Sequence, residues 1–174
     1  MKIEAVEHLT YPAELVFETV RDKTPELASI MPNIEGVEVL SREEKPPVVH
    51  VYARWQGSSG DVPRVIRPFV KKELLAWMDR AAWDAEQRTC EWAIEAAVGQ
   101  VFSCEGHTTI ADAEGGAVFT IKGELRVDPN KVPGVPRFLA RKLKDPLERF
   151  IANAIRPNLT SIAKAVQEYL DQRP

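Results

Sequence analysis

Two periods divide the chain. Between Asp145 and Asp171, Leu147, Ile151, Ala154, Ile155, Leu159, Ile162, Val166, Tyr169 and Leu170 recur at spacings of three and four, which puts them on one helical face. Asp145 suits the N-cap, Pro146 the first turn, and Glu148 the carboxylate position of a capping box. The spacing predicts a helix from Asp145 to Asp171, roughly 40 Å long at 1.5 Å per residue. Six or seven strands at about 4.8 Å each span a similar distance, so one helix can lie across a whole sheet. Pro157 falls inside it, leaves the carbonyl of Asn153 without a donor, and predicts a kink.

Elsewhere the period is two. Lys2 to Tyr11 alternates as a strand does. Pro12 opens a helix with Val16, Phe17 and Val20 inward, Arg21 to Pro25 ends it, and Glu26 to Met31 reads as a second short helix stopped by Pro32. Ile34 to Glu43 alternates again, and Lys45-Pro46-Pro47 turns the chain. Val48 to Gln56 sets Val49, Val51, Ala53 and Trp55 on one face, and His50, Tyr52 and Arg54 on the other. Gly57 to Asp61 is a flexible break, and the prolines up to Pro68 argue against regular structure. Phe69 to Arg80 reads as a strand that is apolar on both sides, Trp83 to Arg88 as a turn, and Thr89 to Glu95 as a strand with Cys90, Trp92 and Ile94 on one face. Val101 to Asp112 and Ala117 to Asp128 form a hairpin around Glu114-Gly115-Gly116. Its second strand alternates most clearly: Phe119, Ile121, Leu125 and Val127 against Thr120, Lys122, Glu124 and Arg126.

Short turns between consecutive strands imply antiparallel neighbours. The expected fold is α+β: a curved antiparallel sheet of six or seven strands wrapped around a long C-terminal helix, with two short helices after strand 1, in one domain over residues 1–174.

That order resembles the START-like or helix-grip superfamily, which includes plant pollen allergens, polyketide cyclases, quinone-binding proteins and lipid-transfer proteins. The resemblance spans nearly the whole chain. It is carried by Tyr11-Pro12-Ala13-Glu14-Leu15-Val16-Phe17 followed by Arg21-Asp22, and by Pro32 to Leu40, which looks like the family's second strand. These residues are structural, and they carry no shared catalytic motif. Pro157 departs from the smooth terminal rod that the resemblance implies. The resemblance also implies a hollow between sheet and helix.

Composition narrows the function classes. The 174 residues are 44% apolar and 28% charged, ordinary values for a globular chain with a real core. A net charge of -3 gives no overall pull towards nucleic acid. No apolar run reaches the roughly 18 residues of a membrane span, and Met1-Lys2-Ile3-Glu4 reads as a strand start, so a cytoplasmic protein is expected. Cys90 and Cys104 are the only cysteines; they read as a cross-strand disulfide or, preferably, as two buried thiols in a reducing compartment. No Cys-x-x-Cys pair exists, and His8 and His50 stand apart, so neither a metal nor a cofactor is expected. No Ser-His-Asp arrangement, phosphate loop or nucleotide fingerprint is present.

Four candidate sites remain. Trp55, Leu75, Trp77, Trp92, Phe102, Phe119 and Ile121 on strands, facing Phe150, Ile151, Ala154 and Asn158 on the helix, would line a cavity for a hydrophobic small molecule. The bland alternative is a solid core. Asn158 lies on the apolar stripe beside Pro157, where it would bond a ligand or satisfy a backbone group. Glu105 with His107, and Glu73 with Asp79, share strand faces; on a concave face they would supply acid-base chemistry, and a solvated outer face is the preferred reading. Lys131 to Lys144 carries Lys131, Arg137, Arg141, Lys142 and Lys144, with Val132, Val135, Phe138, Leu139 and Leu143 interleaved and no acid. It reads as an ordinary surface helix or as a weak contact for anionic membrane. The function expected is binding or transport of a lipid, isoprenoid or polyketide, the alternative a polyketide cyclase or aromatase-like enzyme in the same cavity.

Overall fold

The computed structural model describes residues 1–59, Val62, Arg64 and residues 67–173, without the side chains of Phe69 and Arg156. The alternating segments become β1 (Lys2–Leu9), β2 (Ile34–Lys45), β3 (Val48–Gly57), β4 (Ala76–Asp84), β5 (Thr89–Ala96), β6 (Phe102–Ala113) and β7 (Gly116–Val127). Helices α1 (Ala13–Asp22) and α2 (Thr24–Ile30) follow β1, and α3 (Arg137–Asp171) follows β7. The strands form one curved antiparallel sheet in the order β1-β7-β6-β5-β4-β3-β2. From β2 to β7 each strand pairs with its sequence neighbour. The exception is β1, which lies along β7 with Lys2 opposite Glu124 and Leu9 opposite Ala117. Thus α1 and α2 carry the chain from one edge of the sheet to the other. In the β6–β7 turn, Gly115 takes φ +79°, a left-handed conformation that a side chain would strain.

Two elements differ from the sequence reading. The strand expected from Phe69 begins only at Ala76, and Lys72–Leu75 is a 3-10 turn instead. The cause is a missing partner. Ala76 already pairs with Gln56 at the end of β3, and Trp77 with Ala96 at the end of β5. Residues before Ala76 have no ladder to join, so Leu74 N–H bonds to the Lys71 carbonyl at 2.9 Å instead. The second difference is the start of α3 at Arg137, with Pro136 at its N-cap and both Pro146 and Pro157 inside it. Each interior proline forfeits one backbone hydrogen bond. Burial of Ala140 and Leu147, with Leu143 packed beside them, outweighs the local start signal at Asp145.

The far end of α3 is tied to the β1–α1 junction. Gln167 accepts from Thr10 N–H at 2.9 Å and donates to Thr10 Oγ1 at 2.8 Å, while Tyr11 donates to Asp171 at 2.8 Å. Buried apolar residues form two clusters. The larger gathers Val16, Phe17, Leu27, Phe119 and Val166, and the smaller gathers Val101, Leu125, Leu147, Ile151 and Ile155. Trp92 and Leu159 pack against both clusters. Cys90 and Cys104 are free buried thiols, paired in the ladder with Thr108 and Ile94 and not with each other. Burial pushes the Cys104 thiol up to about 11 and the Cys90 thiol higher still.

Candidate ligand cavity

The concave face of the sheet and α3 enclose a cavity of about 570 Å³, within the roughly 300–1,000 Å³ range of small-molecule sites. The structure brings all the expected lining residues together. Trp55, Leu75, Trp77, Trp92, Phe102, Phe119 and Ile121 border it from the sheet side, and Phe150, Ile151, Ala154 and Asn158 from α3. The sheet and α3 thus leave a hollow between them, and solid packing is confined to the two buried clusters at its borders. All 4 tryptophans of the chain line this space, including Trp83, which the sequence reading placed in a turn. Trp83 has the same parity as Trp77, and that alternation was its available signal.

Packing fixes these rings. Trp55 stacks on Trp77 with centroids 6.0 Å apart and planes at 4°. Phe17 of α1 meets Trp83 edge-on at 5.7 Å and 75°. Trp92 lies against two glycines, Gly106 and Gly123, which face each other across β6 and β7. A Cβ at either glycine would come 2.7 Å from the indole ring. Their missing side chains form the slot for that ring. The indole N–H then donates to Thr108 Oγ1 at 3.1 Å.

Among the described residues, three polar atoms on this apolar lining are buried without a hydrogen-bond partner: Trp55 Nε1, Asp79 Oδ1 and Asn158 Oδ1. Asp79 faces inward because β4 alternates Trp77, Asp79, Ala81 and Trp83 towards the cavity. Ala53 and Ile94 are its ladder neighbours. The residue as a whole is half-buried at the border of the hollow, while its Oδ1 is shut off from solvent. Burial holds its pKa up at about 6, against an ordinary 3.8. The Trp55 indole N–H lies close enough to oppose that rise weakly, yet outside hydrogen-bonding geometry.

Asp79 corrects the preference for a solvated face. For the other titratable candidates that preference holds. Glu105 and His107 are exposed on the convex side, where Glu105 pairs with Arg126 at 3.1 Å. Glu73 is exposed on the 3-10 turn and so leaves the face it was expected to share with Asp79. The segment Gly57 to Pro68, expected as a flexible break without regular structure, lies partly outside the described residues; of it, Gly57 and Ser58 line the cavity. In the basic segment, Val132 is buried and Val135 and Leu143 are packed, whereas Phe138 is 74% exposed.

A curved antiparallel sheet closed by a terminal helix over a hollow is the helix-grip arrangement. The chain belongs to the family described as polyketide cyclase/dehydrase and lipid transport, which matches residues 1–167. Solved structures share this fold at low identity. TTHA0849 from Thermus thermophilus aligns with a TM-score of 0.68 at 16% identity, covering 97% of this chain and 99% of that one. The Zhui aromatase/cyclase from Streptomyces sp. R1128 aligns at 0.63 and 17%, covering 98% and 95%. Ara h 8.0201 aligns at 0.59 and 14%, covering 99% of each chain. No curated protein sequence matches the chain. None of the described helices is long and apolar enough to cross a membrane.

Proposed function

We propose that this protein binds and carries a hydrophobic small molecule, a lipid, isoprenoid or polyketide, between its sheet and α3. The cavity of about 570 Å³, walled by aromatic and aliphatic side chains, carries this reading. Transfer of a ligand's apolar surface from water contributes about 25 cal/mol per Å², and the stacked, slotted rings are already in place to receive it. Ala154 offers a direct test, since it lines the cavity from α3. Ala154→Trp should fill the space and weaken retention of co-purifying apolar ligand at least about tenfold, read by native mass spectrometry and solvent extraction. Unchanged retention would place the ligand elsewhere.

A second reading is a cyclase-type enzyme, favoured by the carboxyl of Asp79 with its pKa at about 6, suited to proton transfer near neutrality. It ranks below the carrier because no histidine stands among the described lining residues to share the proton with Asp79. In an enzyme, Asp79→Asn would abolish product formation from a bound poly-keto chain and leave its binding intact.

The carrier reading also gives the basic segment a role. Arg137, Arg141, Lys142 and Lys144 are exposed beside Phe138, on the half of α3 that brings Pro146 and Arg149 to the cavity. This face would touch anionic lipid weakly during loading. Co-sedimentation with phosphatidylserine vesicles should fall about threefold or more for Phe138→Ser combined with Arg141→Gln; equal sedimentation of variant and parent would rule the contact out.

A further inference from the structure

We propose that the cavity selects an uncharged apolar molecule bearing a hydroxyl group, and that this hydroxyl is held between Asp79 and Trp55. The inference rests on the ligand-binding reading above and narrows its ligand class. Two neighbouring buried atoms lack partners, and they are complementary: Trp55 Nε1–H only donates, and Asp79 Oδ1 accepts. One hydroxyl satisfies both at once, because its oxygen accepts from the indole while its proton goes to the carboxylate. A pure hydrocarbon leaves both atoms unpaired, each at a desolvation cost.

A ligand carboxylate is excluded by charge. It would meet Asp79 in an apolar enclosure, and the one cationic side chain among the described lining residues, Arg149, is exposed to solvent. The remaining titratable lining group is the thiol of Cys90, which burial and Asp79 both keep protonated. A ketone can accept from Trp55, but it pairs with Asp79 only when that carboxyl carries a proton. Asn158 Oδ1, unpartnered on α3, offers a further acceptor. It favours a ligand with a second donor directed at the helix.

Pyrene, hydroxypyrene, acetylpyrene and pyrenecarboxylate share one apolar body and differ in this group. Titration of the purified protein by calorimetry should rank hydroxypyrene about tenfold tighter than pyrene, with pyrenecarboxylate weakest. Between about pH 7 and pH 5, acetylpyrene should gain affinity as Asp79 takes up its proton, and hydroxypyrene should not share that gain. Asp79→Leu should erase the preference for hydroxypyrene over pyrene while keeping pyrene bound, which also reports an intact fold. Trp55→Phe should reduce the same preference. Equal binding of pyrene and hydroxypyrene by the parent, or a preference that survives Asp79→Leu, would overturn the hydroxyl assignment and leave the cavity reading standing. Failure of every pyrene to bind would overturn both.

Discussion

Replacing Asp79 by asparagine is expected to stabilise the protein by about 3 kcal/mol at pH 7 and by only about 0.5 kcal/mol at pH 4. The carboxyl's pKa is about 6 in the folded protein against an ordinary 3.8. The folded state therefore holds this proton more tightly than the unfolded chain does. Below the lower value both states are protonated and the carboxyl carries no ionisation cost. As pH rises through about 4 to 6, the unfolded chain ionises freely while the folded protein must ionise a buried group. Above about pH 6 the cost is complete. At 1.36 kcal/mol per pH unit, the gap between the two values corresponds to about 3 kcal/mol. Asparagine keeps the shape and cannot ionise. Urea unfolding of both proteins across this pH range isolates the effect, because the other carboxylates titrate alike in each. A difference in stability that stays constant from pH 4 to pH 7 would mean that water reaches the carboxyl freely. Under the proposed hydroxyl assignment, a bound ligand would offset that cost and raise the stability of the fold.

Gly106→Ala should destabilise the fold by about 3 kcal/mol, the upper end for an added core methyl. Its Cβ would press on the Lys122 carbonyl oxygen of β7 and come 2.7 Å from Cζ2 of Trp92. The first of these obstacles is backbone and cannot rotate away. Gly123→Ala meets Cη2 of Trp92 at 2.7 Å first, with the Glu105 carbonyl farther off at 3.1 Å. Shortening the side chain in Trp92→Leu should therefore rescue Gly123→Ala substantially and Gly106→Ala little, as a double-mutant cycle in urea unfolding would register. A Gly106→Ala protein within about 0.5 kcal/mol of the parent would show that the sheet yields there and that the slot is not a rigid part of the cavity wall.

The periods in the sequence carry the elements and the lining. Period two identified which of Val49 to Trp55 and Phe119 to Val127 share a face, and the spacing of Leu147 to Leu170 identified the stripe that α3 turns inward. Such patterns are local, so they survive without knowledge of partners. Asp79 shows their limit. Its parity with Trp77 was legible, but the stretch Phe69 to Arg80 carries apolar residues on both sides, and only curvature and pairing decide which side is concave. Glu73 has the same parity and left that face because β3 and β5 end before it.

By itself the sequence determined an antiparallel sheet, two short helices and a terminal amphipathic helix, because burial periodicity is written residue by residue. The tertiary structure alone decided that β1 closes on β7, that α3 runs through Pro146, and that Gly106 and Gly123 meet under Trp92. It also decided that sheet and helix stand apart around the unpartnered Trp55 Nε1, Asp79 Oδ1 and Asn158 Oδ1. Each of these depends on distances between segments remote in the chain, where packing outweighs local preference and no period records the outcome.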